Sequence, residues 1–218
     1  DHGDSEHLNE DFFRATDIRA LIEVVKYLGQ KFSDNEIHLI GFSLGGNISL
    51  RISASPEINF LKKTIVLSPV INPENSMNAM DKNSWILRKY FIDKWKKTIR
   101  RKIDLYNIDA KEALKHKNIK SLTEYFTENF TPHSHVRDLF SAYAVTQETL
   151  NNINHDTFIY SAYDDPCVPI EPLLELEETT NVEFNALDYG GHCGFIDDFR
   201  FTSSVYNEIS KKLESNTH

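Results

Sequence analysis

Ile37-His38-Leu39-Ile40-Gly41-Phe42-Ser43-Leu44-Gly45-Gly46-Asn47-Ile48-Ser49-Leu50 decides how this chain is read. Its first four residues make an apolar run of strand length, and Asn47 to Ala54 reads as a helix, so a Gly-x-Ser-x-Gly turn sits between a buried strand and a helix. The backbone at such a turn is strained and crowded, and the glycines beside Ser43 remove side chains that would collide there. The Ser43 hydroxyl is thereby exposed. The backbone N–H of Leu44 is aimed at the oxygen of a bound carbonyl group, and the start of the helix adds a favourable dipole. Alone, Gly-x-Ser-x-Gly recurs by chance; the strand before it and the helix after it give it weight.

A nucleophilic serine needs a base, and the base needs a carboxylate that fixes its tautomer. Downstream, Thr157-Phe158-Ile159-Tyr160-Ser161-Ala162 reads as a strand that ends in Tyr163-Asp164-Asp165-Pro166-Cys167-Val168-Pro169. The next extended run, Val182-Glu183-Phe184-Asn185-Ala186-Leu187, leads into Tyr189-Gly190-Gly191-His192-Cys193-Gly194-Phe195. A carboxylate at one strand end and a glycine-framed histidine at the next are candidates for the acid and the base. His192 would take the proton from Ser43 and return it to the leaving group. Asp164 and Asp165 also fit a plain turn ahead of a proline.

Four segments together carry a resemblance: Asp1-His2-Gly3-Asp4-Ser5 with Leu8-Asn9, Gly41 through Asn47, Asp164-Asp165-Pro166, and Gly190 through Phe195. They resemble the YheT/EMB8-type branch of the α/β-hydrolases, which also holds the animal ABHD membrane-lipid hydrolases. The resemblance implies an α/β fold with a mostly parallel sheet flanked by helices, and the chain order serine, acid, base. It implies Asp165 as the acid, since the residue directly before Pro-x-Val-Pro is the usual acid position, with Asp164 a solvated neighbour or one standing behind it. It implies cleavage of carboxylic esters with lipid-like or short acyl groups. In this fold several strands and a helix precede the serine turn, and a loop among them supplies a second oxyanion donor. Ser43 lies so near the start that the chain is expected to lack this front, leaving an open apolar edge for a partner chain or a longer native protein to cover. His2-Gly3 is not read as that loop, because it runs directly into the helix before the turn.

That helix is expected to place Ile18, Leu21, Ile22, Val25 and Leu28 on one face, and the last helix to pack through Phe201, Val205, Ile209 and Leu213. Strands beginning near Ile37, Thr64, Thr157 and Val182 alternate with helices, which implies a parallel sheet. Between them, from residue 71 to 155, a charged helical segment carries Ile92, Trp95, Ile99 and Ile103, then Leu122, Phe126 and Phe130, at helical spacing. It is read as a cap inserted into one domain spanning residues 1–218.

The 218 residues suffice for one sizeable core, and a formal charge of −9 argues against nucleic acid as a partner. Within that acidic chain Arg88, Lys89, Lys94, Lys96, Lys97, Arg100, Arg101 and Lys102, interleaved with Trp85, Tyr90, Phe91 and Trp95, form a basic cluster. A solvated helix face explains it, and peripheral contact with membrane lipids is the sharper alternative. Cys167 and Cys193, the two cysteines, make no disulfide framework and read as packing residues in a reducing, cytoplasmic setting. No cofactor and no metal is expected, since no His, Cys or carboxylate cluster shows ligand spacing.

The function expected is therefore a serine ester hydrolase with Ser43 as nucleophile, Asp165 and His192 as its partners and Leu44 N–H in the oxyanion hole, acting on a small-molecule ester. Acyl transfer or thioester cleavage would use the same three residues. A catalytically impaired fragment acting as a binding module is the rival of a different class.

Overall fold

The computed structural model describes residues 5–83 and 85–214; the Asp1-His2-Gly3-Asp4 opening lies outside the described residues. Four strands form one parallel sheet in the order β1 (Ile37–Phe42), β2 (Leu61–Leu67), β3 (Asp156–Ala162) and β4 (Val182–Leu187). Parallel strands covered on both faces read as nearly continuous apolar runs, and β2 is the extreme case, with Ile65, Val66 and Leu67 all fully buried.

Side chains alternate across the sheet. Ile65, Leu67, Tyr160 and Ala162 meet Val205 and Ile209 of the last helix, α9 (Ser204–Glu214), on one face. Val66, Ile159 and Val182 meet Leu50 of α2 (Leu44–Ser53), Leu150 of α7 (Gln147–Asn151) and Leu173 of α8 (Glu171–Leu174) on the other. On that second face Ile22 of α1 (Arg19–Lys31) packs with Ile52 of α2 and Leu39 of β1.

Two expected helix faces need correction at their ends. Ile18, Leu21, Ile22 and Val25 do pack inward, but Leu28 is exposed, as are Val24, Tyr27 and Phe32. Phe201 lies before α9 and is exposed, because Ser203 Oγ accepts the N–H of Tyr206 and starts the helix beyond it. Among the described residues β1 is an outer strand, and it exposes Ile40 and Phe42.

Between β2 and β3 the chain forms α3 (Pro73–Asn83), α4 (Trp85–Tyr106), α5 (Ile119–Phe130), α6 (Val136–Tyr143) and α7. These helices build apolar clusters of their own, one around Ile99, Leu122 and Phe126 with Phe12 from the N-terminal segment, another around Met77, Ile92, Ile119 and Phe140. Met80, Leu87 and Phe91 then pack on Val70, Cys167 and Val168, which joins the helices to the loop after β3. Asn47, fully buried on α2, donates to the carbonyls of Val70 and Tyr143, each at 2.7 Å, a second tie between the serine helix and this region.

The basic cluster is less uniform than its sequence suggests. Lys102 is fully buried and donates to the carbonyls of Asn9 and Asp11, and Arg88 donates to the carbonyl of Asp81. Lys89, Lys94, Lys97, Arg100 and Arg101 are exposed, with Trp85, Ile86 and Tyr90. No helix among the described residues is long and apolar enough to cross a membrane.

Candidate active site

Ser43 is the N-cap residue of α2, directly after β1, with φ 52° and ψ −120°. A side chain bearing a Cβ rarely adopts that conformation, which costs on the order of 1–3 kcal/mol and persists only where its surroundings hold it. They do so here: Ser43 N–H donates to Leu67 O of β2 at 2.9 Å, and Ser43 O accepts from Asn47 N–H at 3.1 Å and Val70 N–H at 3.2 Å. Gly41 is required because a Cβ there would lie 2.4 Å from Ser49 Oγ and 2.5 Å from Gly45 O. Gly46 is required because a Cβ would lie 2.9 Å from Pro69 Cβ. Gly45, the last glycine of the Gly-x-Ser-x-Gly pattern, is not required for space, since a Cβ there meets nothing within 4 Å. The crowding expected of the glycines is thus real on two sides of the turn and absent on the third.

The loops after β3 and β4 converge on this turn. His192 Nε2 lies 3.0 Å from Ser43 Oγ, and His192 Nδ1 lies 2.9 Å from Asp165 Oδ2 and 3.1 Å from Oδ1. A carboxylate only accepts, so Nδ1 carries the proton toward Asp165 and Nε2 is left to accept from the serine hydroxyl. The Asp165 side chain is 1% exposed, against 22% for His192. Asp165 Oδ1 also accepts the backbone N–H groups of Cys167 at 2.8 Å and Val168 at 2.9 Å, which fixes the carboxylate from behind. Leu44 opens α2, where the first-turn N–H groups have no intrahelical acceptor and the helix dipole is positive.

Of the residues singled out in sequence, then, Ser43, Asp165 and His192 are brought together with Leu44 alongside. Asp164 is exposed and makes a different contact: its Oδ1 accepts the N–H groups of Gly190 and Gly191. Sequence reasoning missed Ser68 and Tyr206. Ser68, at φ 47°, accepts from Cys193 N–H through Oγ at 3.3 Å, and Tyr206 of α9 donates to Cys193 O at 2.7 Å. Nothing in the sequence marked either: Tyr206 stands beside the expected apolar face of α9 and was not part of it, and Ser68 follows an ordinary buried strand.

Convergence of the loops also creates what linear spacing did not show. Asp165, Cys167 and His192 present donor atoms within 4.8 Å of one another, the one such group of three among the described residues. Burial pushes the Cys167 thiol up to about 11, so the protonated form, which is a poor ligand, is favoured. Burial likewise raises the Cys193 thiol above its ordinary value.

Abhydrolase domain-containing protein 2 of Drosophila melanogaster is 23% identical over 194 residues, covering 79% of this chain and 48% of that protein, so the chain spans about half the length of the curated relative it matches. A serine hydrolase from the polyaromatic-hydrocarbon-degrading bacterium Cycloclasticus zankles superposes with a TM-score of 0.59 at 18% identity, over 97% of this chain and 75% of that one. An esterase from Pyrococcus furiosus superposes with a TM-score of 0.52 at 18% identity, over 97% and 62%. At these identities the two structures show a shared fold. The sequence profile of the alpha/beta hydrolase fold matches residues 2–199, and the chain belongs to that family.

Proposed function

We propose that this chain is a serine hydrolase that cleaves carboxylic esters through an acyl-enzyme on Ser43. The observation that carries the reading is the line of contacts from Ser43 Oγ through His192 to Asp165 at the N-terminus of a helix. Ser43 Oγ attacks the ester carbonyl carbon while its proton passes to His192 Nε2. Asp165 stabilises the imidazolium, and Leu44 N–H faces the oxyanion, a type of contact whose loss typically costs about 10²–10³-fold in kcat. Collapse of the intermediate expels the alcohol, which takes the proton from Nε2. Water then repeats the sequence with the roles of base and acid reversed and releases the carboxylic acid.

The helices within residues 71–155 serve, in this reading, as a cap of the same domain, supported by the packing of Leu87 and Phe91 on the loop that carries Asp165. The exposed Lys94, Lys97 and Arg100, beside Trp85, Ile86 and Tyr90, suit contact with an anionic lipid surface and fit a lipid-like ester as substrate. The YheT/EMB8-type motifs point the same way.

A panel of p-nitrophenyl esters with acyl chains from acetyl to palmitoyl, with matched thioesters, tests the proposal in the presence and absence of an added alcohol. Hydrolysis of esters that Ser43→Ala abolishes is expected. Preference for the thioester, or products found only when the alcohol is present, would replace ester hydrolysis by thioester cleavage or acyl transfer. Absence of turnover with a bound, intact ester would favour a binding module.

A further inference from the structure

The turn that carries His192 is poorly suited to holding itself. Gly191, Cys193 and Phe195 all adopt left-handed conformations, at φ 56°, 63° and 46°, and two of the three bear side chains that disfavour this region. Such a segment keeps its shape only when restrained from outside. Beyond His192 the outside restraints are the contacts of Cys193 with Ser68, Tyr206 and Leu67 O and the burial of Phe195, beside one bond within the turn, 2.7 Å from Phe195 N–H to Gly190 O. Ahead of His192 the restraint comes from Asp164. Its Oδ1 accepts the backbone N–H groups of Gly190 and Gly191, each at 2.8 Å, from the residue next to the one that holds the imidazole.

We propose that Asp164 is a positioning residue: its carboxylate clamps the Gly190-Gly191 backbone and thereby sets where the His192 imidazole stands relative to Ser43 and Asp165. One short loop then reaches the histidine by two routes, Asp165 through the ring and Asp164 through the chain that bears it. The covalent link between the two aspartates ties both contacts to one backbone segment. This rests on the reading of His192 as the base, since only a proton-transferring group makes small displacements expensive. A misplacement of about 1 Å can cost about 10²-fold in rate.

The requirement is for an acceptor at Oδ1, and an asparagine side chain supplies one in the same place. Asp164→Ala is therefore expected to lower kcat on a p-nitrophenyl ester by about ten- to a hundredfold with KM nearly unchanged, and Asp164→Asn to restore most of it. A second readout needs no turnover: the downfield proton resonance of His192 Nδ1–H, shared with Asp165, should be present in the parent chain and in Asp164→Asn, and broadened or lost in Asp164→Ala. A resonance unchanged in Asp164→Ala would overturn the proposal, as would an Asp164→Asn variant as impaired as Asp164→Ala. If no variant turns over ester, the assignment of function fails, while the resonance still decides the place of Asp164.

Discussion

Helix α2 carries a serine at each end, and each serine lies on a chain of contacts that reaches a histidine. At the N-terminal end Ser43 meets His192, backed by Asp165. At the C-terminal end Ser53 Oγ lies 2.7 Å from Thr64 Oγ1, which lies 2.9 Å from His155 Nε2, and His155 Nδ1 faces Asn154 Oδ1 at 3.2 Å. The parts are alike and the settings are not. Ser53 is 1% exposed and Thr64 fully buried, so no substrate carbonyl can approach them. An amide oxygen stands where the other site has a carboxylate, and the helix end is the negative one. A serine linked to a histidine is thus not yet a nucleophile. On the proposed reading it becomes one with an anion behind the ring, a positive helix end before the hydroxyl, and access from solvent.

The largest effect expected from breaking this contrast is at the anion. Asp165→Asn gives the first network the amide of the second, and ester turnover should fall by about 10⁴-fold as the favoured histidine tautomer is lost. Steady-state kinetics at neutral pH measures it, and a loss under tenfold would mean that Asp165 does not orient the base.

The serines should then differ in the sign of their effect on stability. Ser43→Gly relieves the positive φ and is expected to raise stability by about 1 kcal/mol while abolishing turnover. Ser53→Ala removes a buried hydroxyl bond and should lower stability by about 1 kcal/mol with turnover unchanged. Urea denaturation of both variants reads the two signs. Loss of activity in a folded Ser53→Ala chain would contradict the division of roles.

The smallest effect concerns pH. Burial holds His155 below its ordinary value of 6.5, so the unfolded chain binds the proton more readily than the folded one. Its contribution is intact above about pH 6.5 and is lost as the pH falls from there toward the folded value. His155→Gln should flatten the dependence of the urea midpoint on pH between 7.5 and 5.5. An unchanged slope would show that His155 is not the titrating group.

Much of this was legible in the sequence, for identifiable reasons. Buried parallel strands announce themselves as apolar runs, and β4 was bounded as it folds, Val182 to Leu187. Gly41 and Ser43 were legible because few residues tolerate what the backbone does there. His192 followed from its glycine-framed place beyond a strand, whereas the strand end offered Asp164 and Asp165 alike and only the resemblance preferred Asp165. What escaped depends on tertiary contact. Lys102 read as part of a solvated face and is buried on carbonyls contributed by Asn9 and Asp11, more than ninety positions away. Asp164 looked like any turn residue before proline, because its partners are backbone N–H groups that no side-chain pattern reveals. Gly45 satisfies the motif without being crowded, so the pattern overstated what packing requires at that position.

The central claim, that Ser43 and not merely some serine is activated, is tested most directly by treating the chain and its Ser43→Ala variant with a fluorophosphonate and mapping the adduct by mass spectrometry. A single adduct on Ser43, absent from the variant, is the predicted result. A folded chain that stays unlabelled, or is labelled elsewhere, would contradict it.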